Sequence, residues 1–203
     1  MSITDVDYVR AVESGADGLA EFYAEALEQP RIAEAGWYER PEALRLSAVH
    51  YVKAYGLRVL PLAPGSKVPL GGKCCRELHA RGCTDALADP TFIDYVWREH
   101  PRANVGIATG TVVDVIDQDG TEGARWWLRD LGLGKWPAVL GVVSTPRAGG
   151  VHRYVAATGL GNGAHIAPGL DYRGRGGYVV APPSIVDGRR YTWVSPLDVR
   201  PAR

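Results

Sequence analysis

The sequence predicts an α/β (α+β) domain built around a mixed β-sheet. Helical and strand-like segments share the chain without strict alternation, and its C-terminal half is mostly short apolar runs between Gly- and Pro-rich turns. Hydrophobic residues make up 46% and charged residues 23% of the 203 residues, an ordinary globular composition rather than a disordered one. This length suits one domain with a small appendage.

The N-terminal part of the chain is predicted to be helical. Residues 17–35 have a helical composition, which Pro30 interrupts because proline removes a backbone donor. A second helix is expected to begin near Pro41, since proline is favoured in the first turn, and to end at Gly56. The apolar run at 58–63 then reads as the first strand.

The later elements have clear boundary signals. Asp89 and Pro90 form a cap and first-turn pair for a helix that runs to about His100, and Gly132 closes a helix that begins near residue 122. The predicted strands are 104–109, 111–117 and then AVLGVVST, VHRYVAA, LDYRG, GYVVAPPSIV and RYTWV.

Charge is distributed unevenly along a chain whose formal net charge is zero. Residues 1–46 hold four Lys/Arg against ten Asp/Glu, whereas residues 147–193 hold six Arg against two Asp. This asymmetry fits an anion-binding half beside an acidic appendage, but charge alone favours an ordinary solvated surface. No apolar run approaches the roughly 20 residues that span a bilayer, and MSITDVDYVR has acids where a signal peptide has basic residues. We therefore expect an intracellular protein.

The segment VVDVIDQDG at 112–120 places three acids in a strand-like context. Side chains alternate along a strand, so Asp117 and Asp119 share one face, with Cα atoms roughly 7 Å apart, while Asp114 has the opposite parity. Two carboxylates on one face repel each other, and a divalent cation with oxygen ligands removes that conflict. The spacing also suits a simple Asp-Gln-Asp-Gly turn, so both interpretations stay open.

Two further segments add phosphate-binding chemistry. In TPRAGGVHRYV (145–155), a Gly-Gly pair lets backbone approach a ligand and is followed by His152, which can bind a phosphate or serve as a structural histidine. GLDYRGRGGYVVAPPS (169–184) supplies Asp171 and then Arg173, and arginine binds phosphate bidentately. The alternative for this segment is a glycine-rich hairpin with exposed arginines. Together the segments indicate metal-assisted phosphate chemistry.

Six motifs occur in a distinctive order between about Val49 and Val194. They are PGSKVPL (64–70), CTDALADP (83–90), NVGIATG (104–110), VIDQDG (115–120), TPRAGGVH (145–152) and LDYRGRGGYVVAPPS (170–184). In this order the chain resembles the bifunctional primase–polymerase (prim-pol) branch of the archaeo-eukaryotic primase superfamily, whose domains occur in plasmid, phage and prophage replication proteins. The resemblance implies an RRM-like mixed-sheet core packed beside a second small α/β unit, with the active site in the cleft between them.

The resemblance also implies an activity and roles for individual residues. The expected activity is that of a DNA primase/polymerase, which synthesises primers and extends them on a single-stranded DNA template by two-metal nucleotidyl transfer from NTPs or dNTPs. Asp117, Asp119 and Asp171 match the acids that bind Mg²⁺ or Mn²⁺, and His152 matches the histidine that contacts the nucleotide phosphates. Three basic residues are expected near the nucleotide or template: Lys67, Arg147 and Arg173.

The implied organisation is an acidic helical appendage at 1–46, a catalytic domain at 47–196 and a tail at 197–203. No G-x-x-x-x-G-K-[ST] motif is present, so this segment carries no P-loop motor of its own. Because members of the family often carry a helicase downstream, the resemblance suggests a replicative helicase as a partner or a fused domain. The expected location is the cytoplasm of a bacterial host, without a membrane.

Four potential zinc ligands lie close together in the sequence: Cys74, Cys75, His79 and Cys83. The last three are spaced to share one helical face, and zinc favours Cys and His ligands. Adjacent cysteines are not the usual pattern and Gly82 weakens a helix, so free buried thiols are the favoured alternative.

Two other functions remain compatible with the motifs. The same acids serve a metal-dependent nuclease, and the fold also suits a non-catalytic nucleic-acid-binding replication module. The second is disfavoured because a domain without activity has no need to keep Asp117, Asp119, His152 and Asp171 together.

Overall fold

The computed structural model describes residues 42–70 and 86–199. The predicted helix in 17–35 and most of the acidic segment 1–46 lie outside these residues. The four candidate zinc ligands, Cys74, Cys75, His79 and Cys83, lie outside them as well.

Within those two ranges the chain forms three α-helices and eleven β-strands. The helices are α1 (Ala43–Tyr55), α2 (Pro90–Glu99) and α3 (Gly120–Gly132). The strands are β1 (Arg58–Leu62), β2 (Asn104–Ala108), β3 (Val113–Gln118), β4 (Val139–Ser144), β5 (Val151–Ala156), β6 (Gly163–Ala167), β7 (Leu170–Arg173), β8 (Tyr178–Ala181), β9 (Ile185–Val186), β10 (Arg189–Arg190) and β11 (Thr192–Ser195).

The helix boundaries follow the predicted signals. Gly56 adopts the left-handed conformation (φ 64°) and closes α1 by donating to carbonyls of its last turn. The Asp89 carboxylate caps α2 by accepting from the Thr91 and Phe92 amides at 2.8 and 2.9 Å, while Pro90 occupies the first turn. Both predicted helix boundaries are confirmed.

The strands form a three-stranded sheet in the order β1-β2-β8, a six-stranded sheet in the order β11-β4-β5-β3-β7-β6, and a β9-β10 hairpin. This confirms the predicted α/β (α+β) class. Strands β3 and β4 run parallel and are joined by α3, but β5 lies between them and is antiparallel to both. Every pairing between two named strands is antiparallel. Parallel pairing occurs in isolated bridges such as Gly65–Val186.

Two hydrophobic cores organise the described part of the chain. The larger core joins the two sheets and includes Leu60, Trp97, Ile107, Val115, Val143, Tyr154, Val179 and Trp193. Tyr51 of α1 links the two sheets. Its hydroxyl donates to the Pro182 carbonyl, just after β8, at 2.6 Å and accepts from the indole of Trp193, on β11, at 3.0 Å. The smaller core lies under α3, where Ala124 and Trp127 pack with Ile116. The six-stranded sheet is therefore covered on both faces.

The structure departs from the predicted strand pattern in two places. The run GYVVAPPSIV is divided into β8 and β9 at Pro182 and Pro183, since proline cannot donate to a sheet. Strands β6 and β10 were not predicted from the sequence.

Among the described residues, no helix is both long and apolar enough to cross a membrane.

Candidate active site

Three neighbouring strands of the six-stranded sheet bring the predicted site residues into one row. Asp117 on β3 lies directly opposite His152 on β5 and directly opposite Asp171 on β7. Residues that oppose each other on antiparallel strands project from the same face of the sheet. The two acids and the imidazole therefore converge, although they are far apart in the sequence.

Asp114 projects from the opposite face and has a different environment. It is completely buried, and its Oδ2 accepts hydrogen bonds from the Thr158 amide at 2.7 Å, the Thr158 hydroxyl at 3.1 Å and the Tyr172 hydroxyl. These bonds join β3 to β7 and to the segment that follows β5. The alternation predicted for this strand therefore separates a structural acid from the acid in the candidate site.

Arg173 lies between the two opposed carboxylates. Its Nη2 is 2.8 Å from Oδ2 of Asp171 and 3.1 Å from Oδ2 of Asp117. The other oxygen of Asp171 accepts a hydrogen bond of 2.6 Å from the backbone amide of His165, a non-glycine residue with positive φ (54°) on β6. One guanidinium nitrogen thus contacts both acids at once, and its single positive charge offsets one of their two negative charges.

Asp119 lies one residue beyond the end of β3, nearer the mouth of the cleft. Its carboxylate forms an ion pair of 2.8 Å with Arg147, and its backbone amide donates to the Gly169 carbonyl at 2.8 Å. Both side chains of the pair are substantially exposed, at 47% for Asp119 and 67% for Arg147. Water therefore screens this pair more than it screens the acids held by Arg173.

The loop between β4 and β5 is shaped by its glycines. The Gly150 amide donates to the Arg147 carbonyl at 2.9 Å, and the Gly150 carbonyl accepts from Thr145 at 3.0 Å. A Cβ at Gly150 would lie 2.3 Å from the Thr145 hydroxyl, which no ordinary contact allows. The sequence predicted that the Gly-Gly pair lets the backbone approach a ligand. At Gly150 the closely approaching atoms belong to Thr145 and Arg147 of the same loop.

His152 is buried, with only 5% of its surface exposed. Its Nε2 lies 3.5 Å from Oδ1 of Asp117, and its Nδ1 is buried without a hydrogen-bond partner. Burial lowers the pKa of His152 below its usual value, Asp117 opposes this change, and Lys67 and Arg173 reinforce it. The imidazole is therefore neutral at neutral pH.

A buried polar network supports the site from the other face of the sheet. Gln118, which separates the two acids of the Asp-x-Asp motif, donates from Nε2 to the Gly149 carbonyl at 2.9 Å. Its Oε1 accepts a bond of 2.6 Å from Arg153, whose guanidinium lies 4.3 Å from the ring centre of Trp127. Gln118 thereby tethers the β4–β5 loop to β3, a role that the sequence analysis missed.

The row of side chains opens into a cleft of about 480 Å³ at the junction of the two sheets. Its lining includes Lys67, Asp117, Asp119, Arg147, His152, Arg173 and Tyr191. A second recess of about 280 Å³ adjoins it, and it is lined by residues that include Lys67, Asp117, His152, Asn162, Arg173, Tyr178 and Tyr191. Six of the seven residues predicted for the site thus border one or both spaces, whereas Asp171 reaches them only through its contact with Arg173.

The carboxylates are chemically suited to a divalent cation, since hard cations prefer oxygen ligands and Asp117 and Asp171 already share one positive group. No cluster of three or more His, Cys, Asp or Glu side chains has the geometry of a metal site within the described ranges. The carboxylates form ion pairs with arginines: Asp119 with Arg147, and Asp117 and Asp171 with Arg173.

Three residues near the acids were not foreseen from the sequence. Tyr191 borders both spaces, with its ring centre 5.6 Å from that of His152. His165 contacts Asp171 through its backbone, and the Asn162 side chain accepts from the Gly174 amide at 3.0 Å. His165 and Asn162 lie on or beside β6, the strand whose pattern was too weak to predict.

The described residues thus combine an α/β fold with opposed acids and basic side chains around an open cleft. A family model described as the N-terminal domain of bifunctional DNA primase/polymerases (Prim-Pol) matches residues 48–203. No curated protein matches the sequence significantly. The chain belongs to the Prim-Pol family, as its order of motifs predicts.

Proposed function

We propose that this protein synthesises and extends primers on a single-stranded DNA template by metal-dependent nucleotidyl transfer. The observation that carries the proposal is the opposition of Asp117 to both His152 and Asp171 across three adjacent strands. It gives one face of the sheet an acidic centre with a neutral imidazole beside it. The family match supports a DNA primase/polymerase class of activity.

Asp117, Asp119 and Asp171 would hold Mg²⁺ or Mn²⁺, in keeping with a family that is generally metal-dependent. When bound, such cations activate a 3′-hydroxyl and neutralise the nucleotide phosphates. The protein would contribute the oxygen ligands and their alignment, since β3 and β7 hold Asp117 and Asp171 directly opposite each other.

The proposed role of His152 is to donate a hydrogen bond to a phosphate oxygen. Its Nδ1 faces a buried environment without a partner, so the tautomer that carries the proton on Nε2 avoids an unsatisfied N–H donor. That proton points towards Asp117 and the cleft. A neutral imidazole donates without adding a charge to be desolvated.

Lys67 and Arg147 would bind the triphosphate from two different loops that border the cleft. Lys67 belongs to the loop after β1, and Arg147 belongs to the loop between β4 and β5. Charge-assisted hydrogen bonds to phosphate are stronger than neutral ones, and arginine adds bidentate geometry. The cleft volume of about 480 Å³ suits a ligand of nucleotide size.

A primer-extension assay with labelled nucleotides, Mg²⁺ or Mn²⁺ and a single-stranded template tests the proposal. We expect product that grows on an annealed primer, and labelled primers formed on the template alone. Shortening of the DNA would instead assign the acids to a nuclease. A mobility shift without product would indicate a binding module.

A further inference from the structure

Asp117 and Asp171 present an electrostatic problem that Arg173 solves. The two carboxylates are directly opposed on adjacent strands, and like charges in that arrangement destabilise a sheet. Their side chains are only 20% and 21% exposed, so water screens the repulsion incompletely. A single nitrogen of Arg173 lies within hydrogen-bonding distance of both.

We propose that Arg173 is an internal counter-ion that occupies the position between Asp117 and Asp171 until a divalent cation replaces it. The inference rests on the proposed function, because it assumes that these acids bind metal. It assigns to Arg173 a positioning role beyond phosphate binding. The ion pair keeps the acids aligned and raises the metal concentration needed to load the site.

The surroundings of Arg173 allow its side chain to move while its backbone stays in place. The next residue, Gly174, is held by the Thr109 hydroxyl at 2.6 Å and by the Asn162 side chain at 3.0 Å. The Arg173 side chain is 33% exposed and borders both the main cleft and the second recess. Rotation about side-chain bonds is therefore sufficient to exchange the guanidinium for a cation.

After that exchange, Arg173 has a suitable position for a substrate phosphate. The second recess is lined by Gly176 and Gly177, which present no side chains, together with Lys67. A guanidinium withdrawn into it would join the Lys67 ammonium beside the acids. Release of Arg173 by metal would then create a phosphate-binding group at the step at which the nucleotide arrives.

The ion pair of Arg147 and Asp119 does not raise the metal concentration needed to load the site in the same way. Arg147 contacts one carboxylate rather than two, and both partners are more exposed than those of the Arg173 group. The weaker pair exchanges partners with little cost. The threshold for metal loading is therefore assigned to Arg173.

Mn²⁺ titration followed by electron paramagnetic resonance tests the proposal on the full chain without nucleotide or template. We expect Arg173→Gln to bind Mn²⁺ about tenfold more tightly than the wild type, because the competing charge is gone. The matched control is Arg98→Gln, which removes an arginine that pairs with Asp94 on α2. It should leave Mn²⁺ affinity unchanged. Equal or weaker binding by Arg173→Gln overturns the proposal.

Two further variants keep the test decisive. Asp171→Asn combined with Arg173→Gln should lose the gain in affinity, because the second carboxylate is missing. Arg173→Lys retains the charge on a shorter side chain, which reaches the two carboxylates less well than the guanidinium nitrogen does, and it should bind Mn²⁺ with intermediate affinity. If Arg173→Gln does not fold in EDTA, Arg173→Lys alone decides, and wild-type affinity in that variant contradicts the proposal.

The failure of this inference can be separated from the failure of the proposed function. A gain in Mn²⁺ affinity without primer extension by the wild type supports the counter-ion role and overturns the polymerase assignment. Primer extension by the wild type without a gain in Mn²⁺ affinity in Arg173→Gln supports the polymerase assignment and overturns the counter-ion role.

Discussion

Asp117 and His152 lie opposite each other on β3 and β5, with 3.5 Å between carboxylate Oδ1 and imidazole Nε2. The same carboxylate faces Asp171 and Arg173 on its other side. Asp117 thus lies at the centre of the row, opposite both His152 and Asp171 and in contact with His152 and Arg173. Its removal should have a larger effect on chemistry than the removal of any neighbour.

Asp117→Asn is expected to lower the rate of nucleotide incorporation at least about 100-fold, because an amide is a poor ligand for a divalent cation and carries no charge. The fold should persist, since removal of one of two opposed charges reduces repulsion. Single-nucleotide primer extension measures the rate, and circular dichroism follows thermal unfolding.

The control for this prediction is Asp94→Asn, which removes a carboxylate of α2 that pairs with Arg45 and Arg98 and does not line the cleft. It should retain full incorporation. If Asp117→Asn incorporates nucleotides as fast as Asp94→Asn does, Asp117 is not a catalytic ligand.

The lowered pKa of His152 predicts a loss of stability in mild acid. Below about pH 6.5, the unfolded chain protonates this histidine, whereas the folded chain, in which burial disfavours the charge, does not. The unfolded state then binds more protons, so the free energy of unfolding decreases as the pH falls. The loss continues down to the lowered pKa of the folded state.

Urea unfolding in EDTA at pH 7.5, 6.5 and 5.5 measures this dependence. His152→Gln removes the titrating group and should show a shallower decrease between pH 6.5 and pH 5.5 than the wild type does. His50→Gln is a suitable control, since His50 lies on an exposed position of α1. Parallel curves for the wild type and His152→Gln would contradict the prediction.

Local patterns predicted the site strand well, because alternation along β3 is a short-range property. It separated buried Asp114 from Asp117 before any partner strand was known. Alternation does not define which residues on other strands face Asp117. The register that places His152 and Asp171 opposite it depends on pairings between distant segments.

Arg173 shows the same limit from another direction. Its place beside Asp171 in the sequence predicted proximity to the site, but its position between two carboxylates requires the β3–β7 register. The motif order predicted the family because it samples many distant positions at once, and the family match confirms it. The assigned roles of the acids, His152 and the basic residues stay predictions.

Gln118→Leu should destabilise the protein and reduce its affinity for nucleotide. The side chain is completely buried, and its loss removes the acceptor for Arg153 and the donor to Gly149. A buried polar partner left without its hydrogen bond costs about 1–3 kcal/mol. Urea unfolding measures the free energy, and the KM for nucleotide reports on the released loop.

Gln118→Glu distinguishes the two bonds. It keeps an oxygen acceptor for Arg153 but loses the Nε2 donor to the Gly149 carbonyl. We expect a raised KM with a smaller loss of stability than in Gln118→Leu. An unchanged KM in both variants would show that the loop does not depend on this tether.

Gly150→Ala should distort the loop that carries Arg147 and leads into His152. The added Cβ would lie 2.3 Å from the Thr145 hydroxyl and 3.0 Å from the Arg147 carbonyl, so the loop must shift to accept it. Overpacking of this kind costs about 1–3 kcal/mol. We expect a lower free energy of unfolding together with a raised KM for nucleotide, because Arg147 and His152 would leave their positions at the cleft.

The matched control is Gly161→Ala, since a Cβ at Gly161 meets no atom within 4 Å. That variant should resemble the wild type in urea unfolding and in primer extension, and equal behaviour of the two alanine variants would remove the loop from the explanation of the site.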